Sequence, residues 1–74
     1  MNAPLDHAVL NTSSTFREFI AERLAAVQLY ADMGKIYAAA GDDAGLTYSI
    51  SCATAHLRQA ISTLLDLKAS RGRS

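Results

Sequence analysis

Hydrophobic residues return every three or four positions along two stretches of this chain, with polar residues between them. In the first stretch Ile20, Leu24, Val27, Ala31, Gly34 and Ala38 alternate steps of four and three. A second stripe, Phe19, Ala26, Tyr30, Met33 and Tyr37, runs beside the first. At about 100° per residue the two stripes cover roughly half of a helix circumference. A strand would repeat every two residues, so the pattern predicts a helix. Ser13, Ser14 and Thr15 are all good caps, and Thr15-Phe16-Arg17-Glu18 has the form of a capping box. Gly41 supplies the stop, which gives a helix over 15–40.

The second stretch carries the stripe Leu46, Ile50, Ala53, Leu57, Ala60, Leu64 and Leu67, widened by Ile61. Asp42 or Asp43 can cap it, and Lys68 suits the negative end of its dipole. This predicts a helix over 43–69. The connection between the helices is too short for anything but an antiparallel hairpin. Residues 1–14, which hold the only proline, are expected as an N-terminal arm, flexible or docking. Leu5, Val9 and Leu10 are its candidate clamp residues. Residues 70–74 are expected as a disordered basic tail.

Two helices bury only one narrow seam, and the apolar face of the first is wider than one partner covers. A second copy would close that face as a four-helix bundle. The predicted class is therefore all-α: a two-helix antiparallel hairpin that forms a four-helix bundle as a homodimer. Its expected core and dimer residues are Ile20, Leu24, Val27, Tyr30, Met33, Tyr37, Leu46, Ile50, Leu57, Ile61 and Leu64. A different protein covering the same face is the competing solution.

Between the stretches, Gly34-Lys35-Ile36-Tyr37-Ala38-Ala39-Ala40-Gly41-Asp42, with Ala53 later, resembles the turn region of a tetratricopeptide repeat. Such repeats similarly place Gly, then Tyr, then a Gly-Asp turn between two helices. The likeness implies a helical hairpin. It does not recur along the chain, whereas an array needs about three copies. By architecture alone, the expected dimer is also similar to plasmid RNA modulators of the Rop type, and to small hairpin anti-activators and secretion co-chaperones.

Composition narrows the function classes. The chain has 74 residues, 50% hydrophobic and 19% charged, with seven basic and seven acidic side chains. This length excludes barrels and doubly wound sheets. Zero net charge argues against a dedicated nucleic-acid binder, which needs an excess of Lys and Arg. The charges are unevenly placed, however: residues 1–43 sum to −3 and residues 44–74 to +3. The single cysteine, Cys52, cannot form a disulfide within the chain. The first residues have no basic start followed by an apolar run, and no stretch of about 18 apolar residues occurs. A cytoplasmic protein without a membrane partner is expected.

Few residues suggest chemistry. Cys52 and His56 lie four apart and could share a metal, but two ligands do not make a site; a half-buried Cys and a surface His are preferred. Arg23 falls within the apolar stripe, and its head is expected at the bundle end or on a carboxylate. The Ser and Thr residues lack an orienting His and carboxylate, so no enzyme activity, cofactor or small-molecule substrate is expected. Leu29 and Ile36 lie on the otherwise polar side of the first helix, and Tyr48 on the polar side of the second. These three are the candidate protein-binding residues of a non-catalytic regulator, inhibitor, anti-activator or adaptor that covers a larger protein partner. The alternatives are a Rop-like RNA- or DNA-binding dimer using Arg58, Lys68, Arg71 and Arg73, and a secretion-type co-chaperone or structural oligomerisation module.

Overall fold

The computed structural model describes residues 3–72, and the side chains of residues 12–71. It is an antiparallel pair of helices, α1 (Ala3–Ala40) and α2 (Asp43–Gly72), packed along their length. The hairpin measures 61 × 16 × 11 Å, so it is a single layer one helix thick. Both of its broad faces are open.

α1 starts at Ala3, well upstream of the expected start at Thr15. Pro4 falls in the first turn, where a missing N–H and a fixed φ cost nothing. No further Pro interrupts the helix, and the first Gly after it is Gly34. The cap-like run Ser13–Thr15 is thus interior, and the Ser14 hydroxyl donates to Glu18 Oε1 one turn on, at 3.5 Å. Leu5, Val9 and Leu10 belong to helical backbone instead of an arm; their side chains lie outside the described ones. α2 likewise runs through Gly72, so residues 70–72 of the expected tail are helical and 73–74 lie outside the described residues.

The turn is a Schellman motif. Gly41 has φ 71°, and its N–H donates to Ala38 O at 3.2 Å while Asp42 N–H donates to Tyr37 O at 2.9 Å. Asp42 is also the cap of α2: its Oδ1 accepts from Gly45 N–H at 2.9 Å. Gly45 has a second role. A methyl group there would overlap the Tyr37 ring, so the tyrosine packs directly on the backbone of α2.

Two seven-residue rows from each helix make the seam, the spacing of left-handed coiled packing. One row sets Ile20, Val27 and Gly34 with Leu46, Ala53, Ala60 and Leu67. The other sets Phe16, Arg23, Tyr30 and Tyr37 with Ser49, His56, Thr63 and Ser70. Gly34, Ser49, Ala60 and Leu67 are buried, and the rest of both rows is half-buried. Among the described hydrophobic side chains only Ala60 and Leu67 are buried. Of the expected core, Ile20, Val27, Tyr30, Met33, Tyr37 and Leu46 are half-buried, whereas Leu24, Ile50, Leu57, Ile61 and Leu64 stay exposed. One neighbouring helix shields a strip about two rows wide, and these five residues flank that strip.

Candidate protein-binding surface

The two open faces differ in chemistry. Beside the apolar row lies a shallow groove of about 400 Å³. α1 contributes Val27, Ala31, Gly34, Lys35 and Ala38 to it, α2 contributes Leu46, Ile50, Ala53, Thr54 and Leu57, and Tyr30 and Ser49 of the mixed row reach it from the seam. It is hollow because Ala31, Gly34, Ala38 and Ala53 have little or no side chain to fill it. Lys35 is its one charged lining residue.

Beside the mixed row, side chains interlock across the seam. Arg23 Nη1 donates to His56 Nδ1 at 3.1 Å and to Gln59 Oε1 at 3.4 Å. Arg is only a donor, so His56 accepts on Nδ1 and carries its proton on Nε2. The guanidinium also sits 5.2 Å over the Phe19 ring. Arg23 therefore reaches across to α2 within the hairpin, not to a carboxylate, and its buried Nε has no hydrogen-bond partner. His56 is half-buried, not a surface residue: its ring stacks on Tyr30 at 5.6 Å and 14°. Tyr48 meets Tyr30 edge-on at 6.2 Å and 76°. Cys52, one turn from Tyr48, pushes the Tyr48 phenol above its usual value through a hydrogen bond and its own charge; Tyr30 adds to the shift.

The three candidate contact residues do not form one cluster. Leu29 and Ile36 are 58% and 68% exposed and lie seven residues apart on one stripe of α1. Tyr48, 55% exposed, is on α2 and is held by Tyr30, so its ring serves the seam as well as the surface. Leu65, at 60% exposure, belongs with the exposed apolar residues and escaped the sequence reading, which followed the Leu64 stripe. Ser49 escaped it too: a 1%-exposed hydroxyl facing Gly34, with no hydrogen-bond partner for its oxygen. Reading α2 in sevens as Ser49, His56, Thr63 and Ser70 is the signal that would have shown a polar seam row.

Among the described residues no three His, Cys, Asp or Glu side chains converge, and no helix is long and apolar enough to cross a membrane. The arrangement offers apolar contact area and a few aromatic edges. No protein family, curated protein or solved structure matches the chain.

Proposed function

We propose that this protein is a non-catalytic protein-binding module. A second copy completes its apolar groove face as a four-helix bundle, and the outer surface covers a larger protein. The observation that carries the reading is the poor burial of the single hairpin. Its accessible surface is 5505 Å², whereas a folded monomer of 7.9 kDa is expected to expose about 4,400 Å². The excess is comparable to the roughly 800 Å² that each partner buries in a standard interface. Leu29 and Ile36 lie on the far side of α1 from the seam and stay open in such a bundle; they are the patch for the larger partner, and Tyr48 on α2 is a separate contact.

Photo-crosslinking residues placed at 29, 36 and 48 in cells test that patch. One heterologous protein should be captured from these positions, and Leu29→Asp should abolish the product. Capture only of this chain, or equal capture from exposed polar position 28, about 100° round α1 from Leu29, would sink the reading. The Rop-like alternative has a separate test. Arg58→Glu with Lys68→Glu should leave partner capture unchanged, while a nucleic-acid binder would lose affinity and salt dependence.

A further inference from the structure

The geometry points to one arrangement of the second copy: the two hairpins pack groove face to groove face with their turns at the same end, and α1 of each lies against α2 of the other. This rests on the homodimer proposed above and deepens it. On the groove face the two helices are unequal. Apart from Lys35 the α1 side is small, with Ala31 and Ala38 lining the groove and Leu24 its one large exposed apolar side chain. The α2 side is a ridge: Ile50 and Leu57 line the groove, and Ile61 and Leu64 continue the stripe at helical spacing, all four exposed. A hollow and a ridge side by side on one face are complementary to the same face turned by a two-fold axis parallel to the helices. That operation sets each ridge over the other copy's hollow.

The opposite arrangement, with turns at opposite ends, stacks α2 on α2 and α1 on α1. Ridge then meets ridge, and the hollows face each other across a void, which close packing disfavours. Charge leans the same way: residues 3–40 of α1 sum to −1 and residues 43–72 of α2 to +1, so packing α1 on the partner's α2 sets weakly opposite signs side by side. Such complementarity fixes orientation more than affinity. Neighbouring helices run antiparallel in either arrangement, so their dipoles do not choose between the two.

The test is a distance. With Cys52→Ser removing the native thiol, Ala44→Cys places one spin label near the turn of each copy, on an exposed position. Sedimentation equilibrium first establishes the oligomeric state of the labelled protein. Turns at the same end put the labels across one bundle, within roughly 25 Å for helices about 10 Å apart. Turns at opposite ends separate them by about 45 Å, the length of the 30-residue α2 at 1.5 Å per residue. A dimer with the short distance supports the arrangement. A dimer with the long distance overturns it and leaves the dimer itself standing. A monomer, folded or unfolded, overturns both and assigns the groove to a different protein. As a second check, Leu57→Asp on the ridge and Ala31→Trp in the hollow should each abolish the dimer. A fully dimeric Ala31→Trp variant would overturn the ridge-in-hollow contact.

Discussion

Single side chains in this hairpin do work that their residue types do not announce. Arg23 replaces a core hydrophobe with a charged clasp between helices, tied to His56 and Gln59 and laid over Phe19. Arg23→Ala should destabilise the fold by about 1–2 kcal/mol, because a charge-assisted hydrogen bond and stem packing go together. Arg23→Met should cost less, since it keeps the stem and relieves the unpaired Nε. Urea denaturation of both variants measures the difference, and equal losses would show that the clasp lies in the charge alone. Tyr48 gives a pH signature. Its phenol ionises above the ordinary 10.0, first because of Cys52 and then Tyr30. A raised pKa means that the folded state favours the protonated phenol. Its contribution is therefore complete below the unfolded pKa and is lost as pH rises through the folded one. In a tyrosinate absorbance titration, the component removed by Tyr48→Phe should come in above pH 10. Cys52→Ala should move it back down.

At the scale of elements, the turn was legible and the helix ends were not. Gly41 and the two aspartates announce a stop and a cap, because a positive φ and a side-chain acceptor are local demands that few residues meet. Asp42→Ala should cost about 1 kcal/mol through the lost bond to Gly45 N–H. Gly45→Ala should cost more, since the Tyr37 ring must leave its seat; Tyr37→Ala in the same background should recover part of that loss if the ring is the cause. Thermal melts followed by circular dichroism check both. The start of α1 was misread for a related reason. Ser and Thr next to Glu satisfy a cap pattern, but the same residues are tolerated within a helix that nothing interrupts, and Ser14 bonds Glu18 from inside it.

For the whole molecule, the deciding fact is a layer only 11 Å deep with two buried hydrophobic side chains among those described. A protein completed by its own copy must gain stability with concentration. Each tenfold increase is worth about 1.4 kcal/mol, several degrees in melting temperature for a domain of this size. Melting temperature should therefore climb over a hundredfold concentration series, and Leu57→Asp should remove the slope. A flat series for the natural sequence would show that the hairpin is sufficient alone.

The two helices, their antiparallel pairing and the turn between them were determined by the sequence. Periodicity and caps act over a few residues and need no knowledge of the neighbour. The exposed apolar residues were legible only in part: Leu29 and Ile36 stand out on a polar side, but Leu65 hides next to a core stripe and Tyr48 proves half-engaged with Tyr30. What tertiary structure decided was pairing across the seam. Arg23 finds His56, Tyr30 stacks on that same ring, and Ser49 is buried against Gly34. These choices follow from the relative register of two helices more than thirty positions apart in places, and register is set by the sum of many small contacts that no local pattern encodes. The division of the groove face into hollow and ridge has the same origin, because each helix supplies only half of it.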